Sequence, residues 1–301
     1  MNLRHAAEYA GYRAGSATLR SLPLGFAQRL AAGAARALFD RGGKRIDWVL
    51  TNLRLAFPDL PDSELRQIGR ESYVHFGWNV VDFARSELWS RDEIRAHVSF
   101  EGVHHLETAL KAGRGAIALS LHLGNFELGN LALPLVGVPV VAVGRPMANR
   151  LLYAQVVRQR SRTGTPVIDR RHAARSILRA LRDGSTVGIL NDQYSRRTRG
   201  VFVPLFGIRC STSAGAATIA LRSRAPIVPM HIFRDAPDHH RFCIDAPLEL
   251  PRSGDRTADI LETTARMNRA LERSIRAHPE QYMWGHRRFR HSPDLPNNPY
   301  E

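Results

Sequence analysis

The sequence predicts an α/β fold in which a mostly parallel central sheet is flanked by helices and preceded by a helical N-terminal extension. Two features carry that expectation. From Gly115 onward, short apolar runs of strand length alternate with stretches of helical period, the order that a parallel sheet with crossover helices requires. Before Gly115 the chain reads as helix, punctuated at Pro58-Asp59-Leu60-Pro61. At 301 residues the chain can bury a sizeable core as one large domain or two small ones, and no repeat or low-complexity linker divides it.

The first apolar stretch, Ala14 to Phe39, is broken by Arg20, Arg29 and Arg36, with Pro23 and Gly25 between them. It is too basic to cross a bilayer easily and lacks the compact apolar core of a signal peptide. Such a segment can lie at an anionic membrane surface or pack as a cationic helix on its own domain. Helices follow at Arg45 to Phe57 and from Asp62 to about Trp89. Buried strands are expected at Ala116 to Leu121, Val138 to Val143, Pro166 to Ile168, Val187 to Leu190 and Ile227 to Ile232, with an edge strand at Arg241 to Ile244. Helices at Phe126 to Leu135, Ala148 to Ser161, Ala173 to Arg182 and Thr212 to Ser223 alternate with them, and Ala258 to Ala277 closes the fold before Pro279. The simplest division is a basic segment over residues 1–44 and one continuous domain over 45–301.

Charge narrows the partners. Lys and Arg number 43 against 28 Asp and Glu, giving a net charge of +15 and a pI near 11.0, so the surface attracts polyanions. Nucleic acid, anionic lipid and acidic carrier proteins are the candidates. No nucleic-acid motif with interleaved aromatics appears, so nucleic acid ranks last. All but Lys44 and Lys111 of the basic residues are arginines, a bias that a GC-rich genome also produces, so an arginine counts only where its position gives it a role. Cys210 and Cys243 stand far apart without a Cys-x-x-Cys partner, which fits a reducing compartment. With His239 and His240 they form no recognised zinc set, so no metal is expected.

Catalytic groups in such sheets gather where strands end and helices begin. The run Leu119-Ser-Leu-His-Leu-Gly-Asn-Phe-Glu-Leu-Gly129 sits at the first such junction. His122 closes the strand, Gly124 permits a tight turn, and Glu127 falls in the first turn of the following helix. Across that turn Glu127 can fold back onto one ring nitrogen, leaving the other as a general base. The bland alternative is a glutamate that only complements the helix dipole beside a strand-end histidine.

The block His-Leu-Gly-Asn-Phe-Glu resembles the His-x4-Asp/Glu block of the glycerolipid and lysophospholipid acyltransferase superfamily. More narrowly, the chain resembles the bacterial lipid A late acyltransferases, the lauroyl and myristoyl transferases. The supporting blocks occur in order from about residue 45 to 300. They are Asn52-Leu-Arg-Leu-Ala-Phe-Pro58, Gly144-Arg-Pro146, the pair Arg160 and Arg162, Asp169-Arg170, Asn191-Asp-Gln193, Val203-Pro-Leu-Phe-Gly207 and Pro279-Glu-Gln-Tyr-Met-Trp-Gly-His-Arg-Arg-Phe289.

The resemblance implies a glycerolipid-acyltransferase-like fold, an acyltransferase domain over 45–301 and a membrane-associated segment over 1–44. It implies O-acyl transfer from acyl-acyl carrier protein or acyl-CoA to a hydroxyl of a lipid A precursor or related glycolipid, with no acyl-enzyme, cofactor or metal. His122 is then the general base, oriented by Glu127. Backbone N–H groups at Gly124 and Asn125 would stabilise the thioester oxygen, Arg145 and Arg162 would grip phosphate, Arg160 and Arg170 would be weaker contacts, and Asp192 would orient an arginine or the substrate. Arg287 and Arg288 of the last block can face phosphates, while Tyr282 and Trp284 pack the closing helix. The expected partners are acyl carrier protein, anionic membrane lipid and a glycolipid acceptor, at the cytoplasmic face of the inner membrane with peripheral attachment. Two other readings stay open: a thioesterase using the same pair on water, and a non-enzymatic basic module that binds membrane or nucleic acid.

Overall fold

The computed structural model describes residues 3–169, 173–196 and 200–301. Four helices come first: α1 (Leu3–Ser21), α2 (Leu24–Asp40), α3 (Lys44–Ala56) and α4 (Asp62–Ser86). The expected single N-terminal segment is two helices, because the proline ring at Pro23 cannot continue α1 and its extended backbone leads into α2. A capping box, Ser90 with Glu93, opens α5 (Arg91–Ala96).

The α/β portion follows in the order β1 (Val98–Glu101), α6 (Val103–Leu110), β2 (Ala116–Ser120), α7 (Phe126–Ala132), β3 (Val140–Gly144), α8 (Arg150–Arg160), β4 (Val167–Asp169), α9 (Ala173–Arg182) and β5 (Thr186–Leu190). Then come the hairpin β6 (Gly200–Leu205) and β7 (Ile208–Ser213), α10 (Gly215–Ser223), β8 (Ile227–Ala236), β9 (His239–Ile244) and α11 (Arg256–Ala277).

The strands build a seven-stranded sheet of order β1-β9-β8-β2-β5-β3-β4, with β6 and β7 paired separately. From β8 to β4 all neighbours run parallel; β9 is antiparallel to β8, and β1 follows β9. The mostly parallel expectation therefore fits. Several element ends shift from the sequence reading, and two differences go further. Arg241 to Ile244 belongs to β9 but is not an edge, since β1 covers it. Thr212 lies in β7 rather than at a helix start, its side chain fully buried.

Strand β2 shows why its apolar run is continuous. Ile117 and Leu119 enter the cluster beneath α3, α9 and α11, while Ala116 and Ala118 enter the opposite cluster with Leu106, Leu128 and Phe242. A central parallel strand has no wet face. The N-terminal helices share this core: Phe39 at the end of α2 is fully buried, edge-on to Tyr73 at 5.4 Å, and lies where any side chain on Gly69 would press against it.

The outer faces of the same helices differ. Phe26, Leu30 and Leu38 on α2, and Phe76 and Val80 on α4, are about half exposed. No helix among the described residues is long and apolar enough to cross a membrane.

Because Phe39 joins α2 to the main core, Phe39→Ala should cost about 3–5 kcal/mol. In urea denaturation followed by circular dichroism the whole protein should shift to lower midpoint in one transition. A separate early transition would mean that α2 unfolds apart from the rest.

Candidate active site

The candidate site forms at the C-terminal ends of β2 and β5. Ser120 pairs with Leu190, and the Asn191 N–H donates to the Ser120 carbonyl at 3.1 Å, so residues 122 and 192 leave the sheet side by side. His122 Nδ1 lies 2.8 Å from Asp192 Oδ1 and 3.1 Å from Oδ2, and the His122 backbone N–H donates to Oδ2 at 3.1 Å. An ionised carboxylate only accepts, so Nδ1 carries a proton, and in the neutral ring Nε2 presents its lone pair. The Gln193 amide nitrogen is 3.4 Å from Nε2, and the Phe126 ring meets the imidazole edge-on at 4.9 Å.

This corrects the expected pairing. Glu127 does not accept from the imidazole; its two oxygens are held by Arg160 Nε at 2.8 Å and Nη2 at 2.5 Å. Asp192, expected to orient an arginine or the substrate, orients His122. The sequence places Asp192 70 positions from His122, and only the adjacency of β2 and β5 joins them.

The electrostatics follow from burial. Asp192 is 2% exposed, which alone would raise its pKa, yet the His122 charge and hydrogen bonds outweigh burial and hold it below the ordinary carboxylate value. Burial likewise opposes a charged His122, but Asp192, and more weakly the negative charge of Glu127, raise it above its usual 6.5. The pair favours an imidazolium.

The turn after His122 is pinned from three sides. Gly124 has φ +53, and a Cβ there would lie 2.0 Å from the Ile232 carbonyl oxygen, so glycine is required. Its N–H donates to the Gln281 carbonyl at 2.9 Å, and Met283 N–H donates to the His122 carbonyl at 3.0 Å. The expected use of the Gly124 N–H on a thioester oxygen therefore fails, since that donor is already engaged. Asn125 caps α7 by accepting from Leu128 N–H at 3.0 Å and donates to buried Asp82 at 2.9 Å. Asp82 in turn binds Arg234.

The remaining expected residues scatter. Arg145 is exposed just beyond the end of β3, on the same sheet edge as His122. Arg162 instead serves the end of α4, donating to the carbonyls of Ser86 at 2.5 Å and Trp89 at 2.8 Å. Arg170 lies outside the described residues. Arg288 is 3% exposed and donates to Ser211 O and Thr212 Oγ1, fixing β7 rather than facing phosphate, while Arg287 lies over the Trp48 ring at 4.7 Å. Tyr282 and Trp284 are buried as expected. His286 has a partner that the sequence could not show: its Nε2 accepts from Tyr194 N–H at 2.9 Å, and burial pushes its pKa down to about 4, keeping it neutral.

Beside the dyad runs an apolar slot. It is lined by Ser120, Phe126, Glu127 and Arg160, and by Ala118, Gly188 and Ala142, which lie in register on three adjacent strands. Small side chains in one row leave a groove between Leu133, Met230 and Phe242.

Gly124→Ala should destabilise the protein by roughly 2–5 kcal/mol, combining left-handed strain with a backbone clash. Urea denaturation measures it; an unchanged midpoint would contradict the turn geometry.

A family model for bacterial lipid A biosynthesis acyltransferases matches residues 2–291. Among curated proteins, a lipid A biosynthesis acyltransferase of Haemophilus influenzae is 29% identical over 84% of this chain and 80% of its own length. The lipid A biosynthesis lauroyltransferase of Escherichia coli K12 is 28% identical over 91% and 88%. A phosphatidylinositol mannoside acyltransferase of Mycolicibacterium smegmatis is 26% identical over 73% of each. With the family model spanning nearly the whole chain, and with relatives that carry acyltransferase names, the protein belongs to the bacterial lipid A biosynthesis acyltransferase family and is an O-acyltransferase.

Proposed function

We propose that the protein moves a fatty acyl group from acyl-acyl carrier protein to a hydroxyl of a lipid A precursor or related glycolipid, with His122 as general base. The observation that carries this reading is an imidazole fixed by a buried carboxylate beside an apolar slot. His122 Nε2 takes the hydroxyl proton as the oxygen attacks the thioester carbonyl. The new C–O bond forms, the C–S bond breaks, and the departing thiolate receives the proton from the imidazolium. Asp192 stabilises that imidazolium and fixes the ring tautomer. No acyl-enzyme and no cofactor enter.

Other groups take supporting roles. Glu127, held by Arg160, adds negative charge that favours the imidazolium and borders the slot that holds the acyl chain. With Gly124 engaged, Asn125 supplies the backbone N–H at the thioester oxygen. Arg145, exposed on the catalytic edge, grips acceptor phosphate or the carrier's phosphopantetheine. The cationic surface draws an acidic carrier, and acyl-CoA offers the same thioester. The half-exposed apolar side chains of α2 and α4, set among arginines, attach the enzyme peripherally to the cytoplasmic face of the inner membrane.

His122→Ala, verified as folded by circular dichroism, should lose about 10²- to 10⁴-fold in acyl transfer. Mass spectrometry of lipids from a deletion strain should show an acyl chain missing from a glycolipid. Full transfer by the folded variant would refute the base. Fatty acid released at the same rate with and without acceptor would make the enzyme a thioester hydrolase instead.

A further inference from the structure

A second cavity shares no lining residue with the acyl slot. It is a cleft of about 780 Å³ between α2, α4 and the β8–β9 hairpin. Arg29 and Arg36 border it from α2, His75 and Trp78 from α4, and Arg234 from the end of β8. Arg234 is 6% exposed, with one Nη on Asp82 and the other on the Pro237 carbonyl, and its guanidinium lies 5.6 Å from the Trp78 ring centroid. Its Nε and the His75 Nδ1 are buried, and neither has a hydrogen-bond partner among the described residues.

Buried polar atoms without partners are costly, and here the Arg234 Nε donor and the His75 Nδ1 sit in a wall already rich in cations. Arg29 forms no ion pair among the described residues, and Arg36 reaches Glu71 only at 3.7 Å. Asp235, the carboxylate on the rim, is committed to His239 at 2.7 Å and Arg241 at 3.3 Å. The cleft thus keeps an excess of positive charge. In agreement, burial and then the Arg234 charge hold His75 down at about pKa 4.

We propose that this cleft is a binding site for a phosphate monoester, gripped by Arg29, Arg36 and the Nε edge of Arg234. Guanidinium groups from two elements converge on one space, and a tetrahedral dianion with several acceptor oxygens satisfies more of them at once than a carboxylate does. Binding through Nε leaves the two Arg234 contacts to Asp82 and Pro237 intact. The site has a line to the turn after His122, because Asp82 also holds Asn125. The phosphate can come from a lipid headgroup, since the half-exposed Phe26 and Leu30 stand on the same helix as Arg29, or from a free phosphate in solution.

The full chain should be titrated calorimetrically with inorganic phosphate, and sedimented with phosphatidylcholine vesicles with and without phosphatidic acid or phosphatidylglycerol. These readouts need no acyl transfer, so they stand or fall apart from the proposed reaction. The test variant is Arg29→Ala/Arg36→Ala; Arg175→Ala/Arg179→Ala on α9 removes the same charge elsewhere. The cleft variant should bind phosphate or phosphatidic acid vesicles roughly tenfold more weakly, and the α9 variant should bind nearly as wild type. Weakening in the phosphate arm identifies a free phosphate site; weakening confined to phosphatidic acid vesicles, with binding to phosphatidylglycerol vesicles unchanged, identifies a headgroup site, and equal weakening on both vesicle types means general membrane attachment and overturns the proposal. Equal weakening in both variants, or no binding of either probe by the wild type, overturns the proposal.

Discussion

Asp192 is a carboxylate almost sealed from water, and it stays ionised there because His122 meets it with both its backbone N–H and its ring N–H. These two donors offset much of the cost of taking that charge out of water. The neighbouring architecture serves this contact. Pairing of Ser120 with Leu190 sets the two residues abreast, and Gly124 turns the chain sharply against β8. The segment Gln281 to Met283 then runs against His122 and Gly124 as a short backbone clamp.

The same clamp explains why the ends of the chain matter to its middle. Asn52 on α3 donates to the carbonyls of Trp284 and His286, so the early Asn-Leu block and the C-terminal signature are one structural unit. Gln281 also brackets the Arg234 backbone with both ends of its amide. Arg234, Asp82 and Asn125 form a buried chain from β8 through α4 to the cap of α7. The turn after His122 is therefore held by groups from four regions far apart in sequence.

Much of the fold was legible because its signals are local. Helix α9 is legible to its observed bounds, Ala173–Arg182, since its apolar positions repeat at helical spacing. The strands β2, β5 and β8 declared themselves as apolar runs too short for helices. The hairpin β6–β7 did not: its turn is Phe206-Gly207, with φ 52 and 77, and a phenylalanine in the left-handed region carries none of the usual Asn-Gly signal. In the site, His122 and the need for Gly124 were readable from a strand-turn-helix pattern. The partner of His122 was not, because a carboxylate five residues away competes on paper with one that only sheet order brings near. Arginine roles were the least legible, for each depends on which carbonyl or carboxylate happens to lie within reach: Arg162 on the end of α4, Arg288 on β7, Arg160 on Glu127.

The pH dependence of kcat/KM for acyl transfer, compared between wild type and Asp192→Asn, addresses the His122–Asp192 contact most directly. In the proposed mechanism the base must be neutral to act, so the rate should rise as pH climbs through the His122 pKa, which Asp192 holds above 6.5 in the wild type. With the carboxylate replaced by an amide, burial, the largest effect on the imidazole, is opposed only by the Glu127 charge, which the Arg160 charge offsets, so the rising limb should move to lower pH while the plateau falls. A limb that stays in place in Asp192→Asn and moves instead in Glu127→Gln would contradict the account.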